Sequence, residues 1–281
     1  MAKVIVGDCL KVLGALPEHS VDLVFSSPPY EDCRTYNIEF NLKGQAWVDW
    51  MVRVYIESLR VCKGLVAFVV EGRTRGYSYS GTPLLLAADL IRAGITLRKP
   101  PVFHRVGIPG SGGPDWLRND YEFIICATNG GRLPWSDNTA MGWEPKYGAG
   151  GPPTNRRADG RRLGNVDTHR HGDVRDNRVF VVPNKANPGN IIKCIVGGGV
   201  MGSKLAHENE APFPESLAEF FVRSFCPPGG TVLDPFGGSG TTAAVAVKTG
   251  RNFITCDIRE SQAELINRRL EECVPPVPIV Q

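Results

Sequence analysis

Apolar residues gather along this chain in short dense runs, separated by stretches with helical spacing. Runs of strand length stand at Lys3–Val6, Val21–Phe25, Leu65–Val70, Ile95–Val106, Tyr121–Ala127, Thr231–Leu233 and Phe253–Cys256. Several are continuous and β-branched rather than alternating, the pattern of strands covered on both faces. Between them, apolar positions three and four apart predict helices over Leu10–Leu16, Gln45–Val61, Pro83–Ala93, Pro214–Phe225, Thr241–Thr249 and Glu260–Glu272. Pro83 and Pro214 suit a first helical turn, and Gly94 and Gly250 suit the position just past a helix end. Alternating strands and helices argue for an α/β fold with a doubly wound, mostly parallel sheet of seven strands. The Ile95–Val106 and Tyr121–Ala127 runs are joined by a Gly/Pro loop without a helix, so they are expected to form an antiparallel pair at one edge.

The rhythm breaks after Thr128. Residues 129–206 are rich in Gly, Pro, Asn and Arg and read as long loops or a small irregular insert. This divides the chain into a first half over 1–128, an insert over 129–206, a second half over 207–273 and an extended proline-containing tail over 274–281. Charge follows the same division. The insert carries 12 Lys and Arg against 6 Asp and Glu, whereas the remainder carries 20 against 23, inside a chain of net charge +3. A basic segment in a mildly acidic protein suggests a polyanionic partner.

A chain of 281 residues can bury a full core. No apolar run approaches bilayer length and no signal-peptide pattern opens the chain, so a cytoplasmic protein without membrane contact is expected. The cysteines at 9, 33, 62, 126, 194, 226, 256 and 273 form no C-x-x-C pair, so free thiols are expected and no metal site.

Two strand ends carry unusual chemistry. After Thr231–Leu233 comes Asp234-Pro235-Phe236-Gly237-Gly238-Ser239-Gly240-Thr241-Thr242, a turn whose glycines let backbone approach a ligand. It lacks the G-K-[ST] of a triphosphate loop. The next strand ends at Asp257, a spacing at which an acidic residue suits ribose hydroxyls. After Val21–Phe25 and Ser26 comes Ser27-Pro28-Pro29-Tyr30. Its prolines remove two N–H donors, leaving carbonyls and the Ser27 hydroxyl as acceptors for an exocyclic amine, and Tyr30 offers a face for a base.

With these residues the chain resembles the amino-methyltransferases that use S-adenosylmethionine, most closely the β-group of DNA methyltransferases, in which the catalytic motif precedes the recognition region and the cofactor motif follows. Glutamine methyltransferases acting on release factors share a Pro-Pro-Tyr loop but have the reverse order. The resemblance covers nearly the whole chain. Gly7-Asp8-Cys9, Asn119 through Thr128, His207 through Leu217 and Asp234 through Thr242 all have counterparts.

The resemblance implies a Rossmann-like class I methyltransferase fold with circularly permuted motif order. It implies Ser27, Pro28, Pro29 and Tyr30 as catalytic residues, and Asp8, Cys9, Phe213, Asp234, Pro235, Phe236, Gly238, Ser239, Gly240, Thr241 and Asp257 as cofactor contacts. S-adenosylhomocysteine would be the product and no metal would be needed. Ser at the head of the tetrad is associated with the N4 amine of cytosine, Asp with the N6 amine of adenine. Ser27 therefore favours cytosine, with adenine-N6 methylation as the alternative. A DNA-binding module without catalysis and an RNA substrate are further readings. Cys33 lacks the Pro-Cys setting of enzymes that methylate carbon 5.

The expected partner is double-stranded DNA, whose target base leaves the duplex. A homodimer and a companion restriction endonuclease follow by analogy with the family. Arg34, Arg73 and Arg75, on loops at the strand ends, are candidates for phosphate contacts, and Tyr36 beside Arg34 is a further nucleic-acid contact. Arg156, Arg157, Arg161 and Arg162, with Trp135, Trp143, His169 and Arg170, place sequence recognition in the insert.

Overall fold

A computed structural model describes residues 2–31, 40–108, 112–145, 184–197 and 199–273. The chain forms two compact units: Met1–Asp137 with Gly189–Gln281, and Asn138–Pro188. In the smaller unit, the described residues include an antiparallel bridge between Trp143 and Ala186.

The larger unit is built on a nine-stranded sheet. Its strands are β1 (Ala2–Val6), β2 (Val21–Ser26), β3 (Cys62–Val70), β6 (Thr96–Leu97), β7 (Val102–Val106), β8 (Tyr121–Thr128), β9 (Ile191–Ile195), β10 (Thr231–Asp234) and β11 (Asn252–Asp257). Two short strands, β4 (Thr74–Arg75) and β5 (Ser78–Tyr79), form a separate hairpin. The sheet order is β1-β11-β10-β2-β3-β8-β7-β9, with β6 beside β8. Pairs from β1 through β3 are parallel. Strand β8 runs antiparallel to β3, β6 and β7.

Among the described residues, six helices pack on the sheet: α1 (Cys9–Ala15), α2 (Gln45–Val61), α3 (Thr82–Arg92), α4 (Glu215–Phe225), α5 (Thr241–Lys248) and α6 (Glu260–Glu271). The strands alternate between two cores. Val24, Val66, Phe68 and Val70 face Trp47, Met51, Tyr55 and Leu86. Leu23, Phe25, Leu65, Ala67 and Val69 face Leu217, Phe221, Val222 and Ala243. The continuous apolar run thus fills both sides of the sheet. Phe25 stacks on Phe221 at 4.6 Å between ring centroids.

From β2 the chain crosses by α2 to β3. From β10 it crosses by α5, on the opposite face, to β11 on the other side. Neighbouring strands β2 and β10 therefore form the topological switch point, where the crevice beyond the strand ends takes ligands in open α/β sheets.

Three details differ from the sequence reading. The Ile95–Val106 run divides into β6 and β7 around Pro100 and Pro101, which cannot donate to the ladder. The β7–β8 pair is not the edge, because β9 adds parallel to β7 outside it. Strand β9 lies within the stretch expected to be irregular, since its run alternates exposed and buried over only five residues. These two extra strands raise the expected seven to nine. Among the described residues, no helix is long and apolar enough to cross a membrane.

Strand β2 meets β3 through an irregularity between Val21 and Leu23. Asp22 sits there, held by Lys63 Nζ at 3.0 Å, and accepts a hydrogen bond from the Thr231 N–H at 2.8 Å. Its carbonyl oxygen would lie 2.0 Å from a β-carbon at Gly64, so only glycine fits. Gly64→Ala is expected to cost about 2 kcal/mol through forced backbone movement. Thermal unfolding should show this as a fall in Tm of about 4–8 °C. An unchanged Tm would mean that β2 and β3 do not approach so closely.

Candidate active site

The two loops singled out by their chemistry meet at the switch point. Ser26 and Asp234, 208 positions apart, lie at the ends of β2 and β10, and the buried Ser26 hydroxyl donates to the Asp234 carboxylate. The same carboxylate oxygen accepts from the Phe236 N–H at 3.0 Å, which fixes the start of the glycine loop. Burial pushes the Asp234 carboxyl up to about 6, with the hydrogen bonds from Ser26 and Phe236 opposing the shift.

The first loop is pinned from several directions. The Pro29 carbonyl accepts from the Trp47 indole N–H at 2.9 Å. Buried Glu31 accepts from the Gly44 N–H and the Thr82 hydroxyl, each at 2.8 Å, tying the loop to the starts of α2 and α3. The Ser27 hydroxyl donates to Tyr30 Oη at 3.2 Å and lies 3.4 Å from the Val69 carbonyl. The Tyr30 hydroxyl donates to Glu122 Oε2 at 2.7 Å, and Arg105 holds the other Glu122 oxygen at 3.0 Å. Glu71, just past the end of β3, accepts from the Gly72 N–H and the Tyr79 hydroxyl through one oxygen. Its other oxygen is buried without a hydrogen-bond partner among the described residues. Burial raises the Glu71 carboxyl above its ordinary value, and neighbouring Glu122 adds to this.

The glycine loop is held from below. Arg269, 1% exposed, donates to the Ser239 carbonyl and hydroxyl and to the Thr241 hydroxyl at 2.9–3.2 Å, and pairs with Glu215 at 2.9 Å. Gly240 takes a left-handed φ of 77° against Ile266, where a β-carbon would come within 3.1 Å. Asp257 accepts from the Gly238 N–H at 3.0 Å and from the Arg259 N–H at 3.0 Å.

Two cavities flank this frame and share Phe236, Asp257 and Arg259 as walls. The larger, about 600 Å³, is bordered by Ser27, Pro28, Tyr30, Glu71, Glu122, Phe213 and Gly238. The smaller, about 330 Å³, is bordered by Asp8, Cys9, Pro29, Phe40, Trp50 and Pro235. Phe40 and Trp50 meet edge to face at 5.0 Å. An aromatic slot between Asp8 and Asp257 suits a nucleoside, with one carboxylate for a base amine and one for ribose hydroxyls.

The expected tetrad therefore lines cavities throughout, as do Asp8, Cys9, Phe213, Pro235, Phe236, Gly238 and Asp257. Asp234, Ser239 and Thr241 are buried behind the loop instead, and Gly240 turns it. Asp8 also caps α1 by accepting from the Lys11 N–H at 3.1 Å. The Cys9 thiol is raised to about 12 by burial and then by Asp8. Arg73 and Arg75 lie at the β4–β5 hairpin, Arg73 just before it and Arg75 within it. Arg34, Tyr36, Cys33, Arg156, Arg157, Arg161, Arg162, His169 and Arg170 lie outside the described residues. Among the described residues, no cluster of His, Cys, Asp or Glu could hold a metal ion.

Sequence reasoning passed over Glu71, Arg105, Glu122, Arg259 and Arg269. Glu71 was open to the strand-end rule, since it directly follows β3. Glu122 was not, because it lies near the start of β8 and reaches the cavity only because that strand runs antiparallel.

The raised Asp234 carboxyl has a measurable consequence. Its folded value of about 6 exceeds the ordinary 3.8, so the folded state holds the proton more tightly. That stability is full below the ordinary value and is lost as pH rises through the folded value. Asp234→Asn keeps an acceptor for Ser26 and removes the buried charge. Between about pH 4 and pH 7 its stability should gain on the wild type by about 3 kcal/mol. Urea unfolding across this range measures the difference, and a pH-independent difference would contradict the assignment.

The family model described as DNA methylase, of the N6/N4 type, matches residues 21–268. The orphan methyltransferase M.BamHII of Bacillus amyloliquefaciens is 27% identical over 96% of this chain and 92% of its own length. DNA adenine methyltransferase YhdJ of Escherichia coli K12 is 27% identical over 96% of this chain and 83% of its own length. Among solved structures, TTHA0409 of Thermus thermophilus, assigned as a DNA modification methylase, superposes with a TM-score of 0.62 at 25% identity, covering 99% of this chain and 97% of that one. The cytosine-N4-specific PvuII DNA methyltransferase superposes with a TM-score of 0.65 at 20% identity, over 95% of this chain and 92% of that one. The Rossmann-like α/β fold is thus shared with DNA methyltransferases, and the chain belongs to the N6/N4 amino-methyltransferase family of DNA methylases.

Proposed function

We propose that this DNA amino-methyltransferase transfers a methyl group from S-adenosylmethionine to the exocyclic N4 amine of cytosine in duplex DNA. The observation that carries the reading is Ser27 at the head of the tetrad, facing the larger cavity beside Pro28 and Tyr30. TTHA0409 has been crystallised in complex with S-adenosyl-L-methionine, which supports the same cofactor here.

The residues present fit that cofactor. Its adenosine part belongs in the smaller cavity, with Asp8 toward the adenine amine and Asp257 toward the ribose. Asp257 already accepts from Gly238 and Arg259, and a carboxylate with about four lone-pair sites has capacity left. Phe213 borders the larger cavity, on the methionine side. When bound, the cofactor supplies a methyl group made electrophilic by the sulfonium.

The chain's own residues then do three things. Tyr30 stacks on a base that has left the duplex. The Pro28 carbonyl and Ser27 hydroxyl accept the two amine hydrogens and orient the nitrogen lone pair. The pinned loop holds this geometry without reorganisation, which is where most of the acceleration comes from. Arg73 and Arg75, together with Arg34 and Tyr36, grip the backbone. The basic insert, with Arg156, Arg157, Arg161 and Arg162, reads sequence.

The adenine-N6 reading has one observation in its favour, the similarity to the DNA adenine methyltransferase YhdJ. Incubation with DNA and S-adenosylmethionine, digestion to nucleosides and mass spectrometry separates the readings. N4-methylcytosine is expected. N6-methyladenine would overturn the choice of base, and no methylated base at all would favour a DNA-binding module without catalysis.

A further inference from the structure

Methylating a neutral amine leaves one proton in excess. The nitrogen lone pair becomes the new N–C bond, the C–S electron pair goes to sulfur, and one N–H proton must depart. The residues expected to touch the amine do not include an obvious base, because a proline carbonyl and a serine hydroxyl are both weak proton acceptors.

The hydrogen bonds around Ser27 lead to one. Its hydroxyl donates to Tyr30 Oη at 3.2 Å, and the Tyr30 hydroxyl donates in turn to Glu122 Oε2 at 2.7 Å. Both bonds run in one direction, from Ser27 through Tyr30 to a carboxylate on the wall of the same cavity. The other acceptor near Ser27 is the Val69 carbonyl, which is farther, at 3.4 Å, and cannot pass a proton on. Glu122 is in turn held by Arg105 at 3.0 Å, with a side chain only 12% exposed.

We propose that Glu122 is the terminal proton acceptor of the methyl-transfer reaction, reached through Ser27 and Tyr30. This rests on the reading that Ser27 faces the target amine. As the N–C bond forms, an amine proton moves to Ser27 Oγ, the Ser27 proton to Tyr30 Oη and the Tyr30 proton to Glu122 Oε2. Ser27 and Tyr30 end as they began, and Glu122 ends protonated and is reset by solvent. Tyr30 thereby serves twice, as the face on which the base stacks and as the middle of the relay.

The surroundings suit an acceptor. Arg105, on β7, sets a positive charge against Glu122. Glu71, on the neighbouring strand end, carries a raised carboxyl and shares its charge environment with Glu122 and Arg105. Tyr79 engages Glu71, and Asp257 and Arg259 stand farther round the same cavity. Two carboxyls thus stand side by side in different settings, Glu71 raised by burial and Glu122 paired with Arg105.

The test compares wild type, Glu122→Gln, Tyr30→Phe and the double variant. Methyl incorporation into unmethylated bacteriophage DNA is measured with enzyme in excess, alongside equilibrium binding of S-adenosylmethionine and of DNA. Tyr30→Phe keeps the stacking face and removes only the hydroxyl. Each single variant is expected to slow the single-turnover step by about 100-fold, the lower end of what positioned proton transfer supplies. The double variant should be no slower than the slower single, since both break one relay. Binding of cofactor and DNA should be unchanged. The fall of the wild-type rate toward acid pH, where a carboxylate can no longer accept, should vanish in Glu122→Gln.

A wild-type rate in Tyr30→Phe, or losses that multiply in the double variant, would overturn the relay. If Glu122→Gln fails to fold, Tyr30→Phe decides alone. A wild type that methylates nothing would instead contradict the proposed function, so the two failures are distinguishable.

Discussion

The hydrogen bond from Ser26 to Asp234 is the contact on which the site depends. It joins the last residues of two neighbouring parallel strands at the place where crossovers leave in opposite directions. On one side of it the chain turns into Ser27-Pro28-Pro29-Tyr30, and on the other into the glycine loop. Asp234 uses one oxygen both for Ser26 and for the Phe236 N–H, so position and loop conformation are set together. A buried carboxyl is costly unless it is bonded. Here that cost fastens the Ser27–Tyr30 loop to the glycine loop, and each is then tied outward, to Trp47 and, through Glu31, to Gly44 on one side and to Arg269 on the other.

A second consequence comes from strand direction. Parallel strands bring their C-terminal ends to the crevice, which delivers Ser27, Glu71, Asp234 and Asp257. Strand β8 runs the other way, so its N-terminal part, with Glu122, arrives at the same edge. A cavity wall with acidic and basic members, Glu71, Glu122 and Arg105, is assembled where the sheet changes direction. The Ser27–Tyr30 loop thereby stands beside Glu71 and beside Glu122, on which the proposed proton relay depends.

Much of this was legible in the residues. The strands that matter most, β2, β3 and β10, are continuous apolar runs, and such runs specify burial on both faces whatever their neighbours. The two loops carried their chemistry locally, in prolines and glycines. Strand β9 was hidden because five alternating residues beside glycines gain their identity from pairing with β7. Glu122 was hidden because its meaning depends on the direction of β8. The grip of Arg269 on Ser239 and Thr241, 30 and 28 positions away, was hidden as well. No local pattern announces that partnership.

Equilibrium binding of S-adenosylmethionine to Ser26→Ala, followed by tryptophan fluorescence, tests the central claim most directly. Ser26 lines neither cavity, so it can affect the cofactor only through Asp234 and the loop that follows. Kd is expected to rise about tenfold, equivalent to about 1.4 kcal/mol, with a parallel loss in methyl transfer. Unchanged affinity and unchanged transfer in a folded Ser26→Ala protein would contradict the role given to this hydrogen bond.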